Sequence, residues 1–269
     1  MNTIALSHGN LAYIDRGHGT PVLLLHGFPL DHTMWSSQIE ALSQHSRVLA
    51  PDLRGFGQSP LGEVDPQRGI SMEQYSDEMS EFLDALKITE PIILVGFSMG
   101  GYIAWPFVRK YRNRLRALIQ CDTRAVADTE EGRAGRIKMA DKVAEWGSER
   151  VAEMMGPKLF SARALVTRPE LMAEVRRVVK NTSPAAIAAA QRGMAVRPDV
   201  TPMLPTIALP TLILVGDSDA ISTQTEMQSI AAAIPNAEFV VIPNSGHMTT
   251  MEQPAAVNDA LGKFIAKNV

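Results

Sequence analysis

The pentapeptide Gly96-Phe97-Ser98-Met99-Gly100 constrains this chain most, because it follows the short apolar run Pro91-Ile92-Ile93-Leu94-Val95 and opens a segment of helical character. A serine at a tight turn from strand to helix is held in a strained backbone conformation. Glycines two residues to either side let neighbouring chain pass without meeting a Cβ. The hydroxyl then projects above the edge of a sheet, within reach of a histidine. A plain helix N-cap is the less specific role for a serine here, and the two are compatible.

The rest of the sequence supplies the sheet that such a turn needs. Val22–Leu25, Arg47–Ala50, Leu115–Cys121, Thr211–Val215 and Glu238–Ile242 are short apolar runs of strand length, and Asn10–Asp15 alternates as an edge strand does. Helical spacing appears at Met72, Tyr75, Met79, Phe82, Leu83 and Leu86, then after Met99, over Thr223–Ile234 and over Ala255–Ala266. Between Arg124 and about Arg197 the strand signal disappears. Helices are expected there over Arg136–Trp146, Glu149–Met155, Pro169–Lys180 and Pro184–Met194, the last with Ser183 as N-cap and proline at the first helical position. Pro198, Pro202, Pro205 and Pro210 punctuate the return, and Pro106 is expected to kink the helix after Ser98. This order predicts an α/β fold, a mostly parallel sheet with helices on both faces, and an inserted helical cap. Residues 1–122 and 206–269 are expected to form the core, and 123–205 the cap.

Composition narrows the function classes. The net charge of −3 comes from acids and bases mixed along 269 residues, so no electrostatic footprint for nucleic acid or an anionic membrane is visible, and a small-molecule substrate fits better. The start, Met1-Asn2-Thr3-Ile4-Ala5-Leu6-Ser7-His8, lacks the basic-then-apolar pattern of a signal peptide, and no apolar run approaches membrane-spanning length. A cytoplasmic location is the expectation. With Cys121 as the single cysteine, an internal disulfide and a cysteine-based metal cluster are excluded, and its place at the end of an apolar run predicts a buried structural thiol.

A serine nucleophile needs a base, and the base needs an acid to hold its tautomer and stabilise the cation. Among His8, His18, His26, His32, His45 and His247, the last stands in the loop Pro243-Asn244-Ser245-Gly246-His247, directly after an expected strand and before the final helix. A parallel sheet puts that loop at the same carboxyl-terminal edge as Ser98. Three aspartates qualify as the acid: Asp217 and Asp219 in the turn Gly216-Asp217-Ser218-Asp219, and Asp122 after the preceding strand. Loop aspartates commonly serve only to shape turns, so spacing leaves the choice open.

Taken together, His26-Gly27-Phe28-Pro29, Pro51-Asp52-Leu53-Arg54-Gly55-Phe56-Gly57-Gln58-Ser59, the serine turn, Gly216-Asp217-Ser218-Asp219 and Gly246-His247 resemble, in that order, the α/β-hydrolase superfamily over nearly the whole chain. The resemblance implies a triad of Ser98, Asp219 and His247, with an oxyanion hole from the backbone amides of Phe28 and Met99. It also implies a structural role for His26 in holding the loop of Phe28, and Arg54 as a loop anchor. An amide at the first turn of a helix suits developing negative charge. No metal or organic cofactor is required by such chemistry, and a serine nucleophile separates this chain from the related haloalkane dehalogenases, which use a carboxylate.

Within the superfamily, Phe28-Pro29-Leu30 and Ser98-Met99-Gly100-Gly101 resemble the cofactor-free perhydrolases, esterases by mechanism. Leu118-Ile119-Gln120-Cys121-Asp122-Thr123 and the stretch around Arg136 are similar to the 3-oxoadipate enol-lactonase group. A carboxylic-ester hydrolase acting on small esters is therefore expected, with a lactone hydrolase as the alternative. A ligand receptor or signalling protein with a retained triad is a third class on the same fold. Met99, Met139, Met154 and Met248 are expected near an adaptable acyl site, and Arg136 is the cap arginine expected to meet a substrate carboxylate in the lactonase case.

Overall fold

The computed structural model describes residues 1–64 and 67–269. Its strands are β1 (Asn2–Leu6), β2 (Gly9–Arg16), β3 (Pro21–Leu25), β4 (Arg47–Pro51), β5 (Ile92–Phe97), β6 (Leu115–Cys121), β7 (Thr211–Gly216) and β8 (Ala237–Ile242). They form one sheet in the order β1-β2-β4-β3-β5-β6-β7-β8. From β4 to β8 every neighbouring pair is parallel, while β1 and β2 are antiparallel additions. β2 is thus not the edge strand its alternation suggests. β1 covers it through a hairpin in which Leu6 opposes Gly9, and only then does the sheet end.

β3, β5 and β7 are buried at every residue, the mark of parallel strands covered by helices on both faces. The covering helices are α1 (Ser36–Leu42), α2 (Met72–Ala85), α3 (Met99–Lys110), α8 (Gln224–Ala233), α9 (Thr249–Glu252) and α10 (Pro254–Lys267). α1 packs on α10 and α2 on α3. α2 begins at a reciprocal capping box in which Ser71 accepts from the Gln74 amide and the Gln74 side chain accepts from that of Ser71. α3 continues as a helix past Pro106.

Between β6 and β7 lies a block of helices: α4 (Glu130–Leu159), α5 (Ala162–Thr167), α6 (Pro169–Asn181) and α7 (Pro184–Ala195). α4 is two helices joined at Gly147, whose φ of 77° and ψ of 159° interrupt it where the apolar pattern also pauses. α5 was not expected from periodicity; six residues carry too little of a 3.6-residue repeat to be recognised, and its signal is Ser161, which caps it by accepting from the Ala164 amide. α4 packs on α6 and α7. Among the described residues no helix is long and apolar enough to cross a membrane.

Candidate active site

Ser98 sits between β5 and α3 with φ 50° and ψ −111°, a left-handed backbone that a non-glycine residue adopts only when its surroundings enforce it. The enforcement is visible. Its amide donates to Cys121 O at 3.0 Å, and its carbonyl accepts from Thr123 Oγ1 at 2.7 Å and from the Gly101 amide at 2.9 Å. A Cβ at Gly100 would lie 2.2 Å from Leu25 O, so the first turn of α3 rests directly on β3.

The structure brings three of the expected side chains into one hydrogen-bonded chain. His247 Nε2 lies 3.0 Å from Ser98 Oγ, and His247 Nδ1 lies 2.8 Å from Asp219 Oδ2. The network assigns the tautomer: Nδ1–H donates to the carboxylate, leaving Nε2 to accept from the serine hydroxyl. Asp219 Oδ1 accepts from the amides of Ile221 at 2.7 Å and Ser222 at 3.0 Å, which fixes the carboxylate and presents Oδ2 to the ring. The Phe97 ring packs 5.2 Å from the imidazole, centroid to centroid, and His247 is buried.

The other two aspartates have different partners. Asp217 accepts from the amides of Asn244 at 2.8 Å and Ser245 at 3.2 Å, pinning the turn after β7 to the loop that carries His247. Asp122, fully buried after β6, accepts from the Gly216 amide at 3.0 Å and from Thr249 Oγ1. Burial first, then the negative charge of Asp219, pushes the Asp122 carboxyl well above the ordinary range. Asp122, Asp219 and His247 have the donor types of a cation site, with candidate ligand atoms within 4.8 Å of one another. All four carboxylate oxygens, however, already accept hydrogen bonds.

Gly27 brings the loop of Phe28 against the serine: a Cβ on Gly27 would lie 2.7 Å from the Phe97 ring and 3.3 Å from Ser98 Cβ. Among the described residues, neither the Phe28 nor the Met99 amide donates to another protein group. Met99 is also the first residue of α3, where the helix leaves amides unpaired. His26 lies fully buried behind this loop. Its Nδ1 donates to Gly27 O at 3.0 Å and its Nε2 accepts from the Leu53 amide at 2.9 Å, so a neutral imidazole joins the loops after β3 and β4. Burial lowers its pKa, in keeping with that neutral form. Arg54 lies buried in the loop after β4, its Nε 3.0 Å from Glu78 Oε1 and its carbonyl accepting from Tyr75 OH at 3.1 Å.

Of the methionines expected near the acyl site, Met99 and Met248, the residues that follow Ser98 and His247, are fully buried, whereas Met154 is 41% exposed on α4. Arg136 is not held ready for a ligand. Its guanidinium pairs with Asp128 and donates to Gln191 Oε1 at 3.2 Å, and Arg197 grips the same Asp128 at 2.6 and 2.7 Å. Cys121 is buried, and burial pushes its thiol well above the ordinary range. Sequence reasoning also passed over Glu252, five residues after His247, whose carboxylate accepts from the Gly246 amide at 2.8 Å. Its signal was only a lone acid in the short segment before Pro254.

A profile of the α/β hydrolase fold matches residues 20–254. A thermophilic esterase from Thermogutta terrifontis, solved with malate bound, shares 43% identity over 99% of both chains with a TM-score of 0.93. The enol-lactonase from Burkholderia xenovorans shares 26% identity, over 98% of this chain and all of that one, at a TM-score of 0.89. By sequence, 3-oxoadipate enol-lactonase 1 of Acinetobacter baylyi is 29% identical over 87% of this chain and 84% of its own length. With the strand order, the serine turn and this match across most of its length, the chain belongs to the α/β-hydrolase-fold family.

Proposed function

We propose that this protein is a carboxylic-ester hydrolase of small esters, with Ser98 as nucleophile, His247 as base and Asp219 as the acid that orients it. The observation that carries this reading is the continuous chain from Ser98 Oγ through the imidazole to Asp219, at 3.0 and 2.8 Å. The 43% identity to an esterase over 99% of both chains supports the substrate class. Residues 1–122 and 206–269 form the catalytic core, and 123–205 the cap that shapes access.

In the proposed reaction His247 Nε2 takes the hydroxyl proton as Ser98 Oγ attacks the ester carbonyl. Asp219 stabilises the imidazolium through Nδ1. The tetrahedral oxyanion is held by the Phe28 and Met99 amides, which have no competing acceptor among the described residues, with the α3 dipole adding its favourable end. The imidazolium returns the proton to the departing alkoxide, and water, activated by the same histidine, hydrolyses the acyl-enzyme. Ser98 is supplied by a rigid turn, so little of the barrier goes into arranging the reacting groups.

A lactone is an internal ester, and the likeness to two enol-lactonases keeps lactone hydrolysis as the second reading. Arg136 already donates to Asp128 and Gln191, so the carboxylate of a charged lactone would have to compete with both acceptors for it. A turnover panel of aryl esters of graded acyl length, together with an enol-lactone carrying a free carboxylate, tests both. Multiple turnover fastest on short neutral esters is expected. Preference for the charged lactone moves the assignment to the second reading, and binding without turnover moves it to a ligand receptor.

A further inference from the structure

Glu252 closes α9 with 4% of its surface exposed, and its carboxylate joins two segments that arrive from different parts of the fold. Oε1 accepts from the Gly246 amide at 2.8 Å, immediately before His247. Both oxygens lie within reach of the Ser161 amide, at 3.3 and 3.2 Å, and Oε2 accepts from Ser161 Oγ at 2.6 Å. On the other side of the histidine, the Met248 amide donates to Leu159 O at 2.9 Å. The chain leaving α4 is thus bonded directly to Met248 and, through the Glu252 carboxylate, to Gly246, the two sequence neighbours of His247. The contact is close, because a Cβ on Gly246 would lie 2.5 Å from Ser161 N and 2.7 Å from Phe160 C.

We propose that Glu252 is a positioning residue: by clamping Leu159–Ser161 onto Gly246, it fixes the angle at which His247 faces Ser98. This inference rests on the reading of His247 as the base. Three donors converge on the group, two amides and a hydroxyl, and a carboxylate accepts from all of them because it carries no proton of its own. Glutamine, the same size, has one oxygen. Turned toward Gly246 it sets its NH2 against the Ser161 amide, and turned toward Ser161 it sets the NH2 against the Gly246 amide. One side of the clamp opens in either pose. Burial acts against a charge here, pushing the Glu252 carboxyl above its ordinary range against the pull of its donors. A charged group in so enclosed a place accords with a need for both acceptors. Misplacement of a reacting group by about 1 Å is enough to cost on the order of a hundredfold in rate.

The test is steady-state kinetics of Glu252→Gln and Ser161→Ala on a short aryl ester, well below the melting temperature of each variant and on protein shown folded by circular dichroism. Glu252→Gln is expected to lower kcat about 10- to 100-fold with KM within about threefold. Ser161→Ala, which keeps both backbone donors, is expected to lower kcat about three- to tenfold with the same split. If Glu252→Gln does not fold, Ser161→Ala decides alone by that split. Wild-type kcat in folded variants, with the loss confined to KM or to melting temperature, overturns the proposal. Ser98→Ala run alongside separates the two layers. If it remains active the triad reading itself fails, whereas a dead Ser98→Ala beside wild-type kcat in Glu252→Gln removes only the role of Glu252.

Discussion

Asp122 and Asp219 bring carboxylate oxygens within 4.8 Å of one another and of the His247 ring, yet only Asp219 is hydrogen-bonded to the imidazole. The two acids divide the work of one loop junction: Asp219 meets the ring, and Asp122 ties Gly216 to Thr249 on either side of it. Burial and the charge of Asp219 favour the neutral form of Asp122. An amide in its place retains the size, accepts from the Gly216 amide, and donates to Thr249 Oγ1. Asp122→Asn is therefore expected to keep kcat/KM within about tenfold of wild type. Asp219→Asn, which favours the wrong histidine tautomer, is expected to lose on the order of 10⁴, the size of the same change in a serine-protease triad. The reverse order of losses, measured on one aryl ester, would move the acid to β6.

The pair of His32 and Asp52 gives a pH signature in stability. Asp52 Oδ1 accepts from the His32 amide at 2.9 Å and from Nδ1 at 2.7 Å, and Oδ2 accepts from Gln58 at 2.8 Å. Burial alone pulls His32 down and Asp52 up. Their mutual hydrogen bond and charge outweigh it, leaving His32 above its ordinary value and Asp52 below its own. The contribution of His32 is then fully present below its unfolded value of about 6.5 and is lost as pH rises through the raised folded value. That of Asp52 is present above about 3.9 and is lost as pH falls through the lowered one. The melting temperature of His32→Gln should fall furthest below wild type near pH 5.5 and approach it above about pH 9. An equal deficit at both ends would contradict the ion pair.

Arg136→Ala should leave turnover of small neutral esters within about tenfold, because the guanidinium serves Asp128 and Gln191. Arg197 still satisfies Asp128, so the loss is one partner of a shared pair. A cost of about 1 kcal/mol is expected, seen as a drop of about 2 to 4 °C in melting temperature. A selective loss of activity toward a carboxylate-bearing lactone would instead place Arg136 at the substrate.

Cys121 should be silent to thiol reagents in the folded protein, since it is buried in β6 and its thiol is pushed well above the ordinary range. Labelling by a disulfide reagent at pH 8 is expected only after denaturant is added. Stoichiometric labelling of the native protein would show that the end of β6 opens.

The parallel strands were readable because burial on both faces turns them into continuous apolar runs, as in Ile92–Val95 and Leu212–Val215. The first strand, Asn2–Leu6, was not, because four of its five residues keep some exposure and no apolar pattern stands out. The positions of Ser98 and His247 followed from loops at the ends of strands. The choice among Asp122, Asp217 and Asp219 did not. All three stand at strand ends, and what separates them is a network spanning Gly216, Asn244, Ser245 and Thr249, which spacing along the chain does not encode. The clamp at Glu252 escaped for the same reason, since its partner Ser161 lies 91 positions away.

The most direct measurement of the central claim is kcat of Ser98→Ala on a short aryl ester, made on folded protein freed of contaminating esterase. With Oγ 3.0 Å from His247 Nε2 as the attacking group, its removal should lower kcat on the order of a million-fold and leave the circular dichroism spectrum unchanged. Retention of more than about one per cent of the wild-type rate, far above the residual activity left when a triad nucleophile is deleted, would contradict the assignment of Ser98.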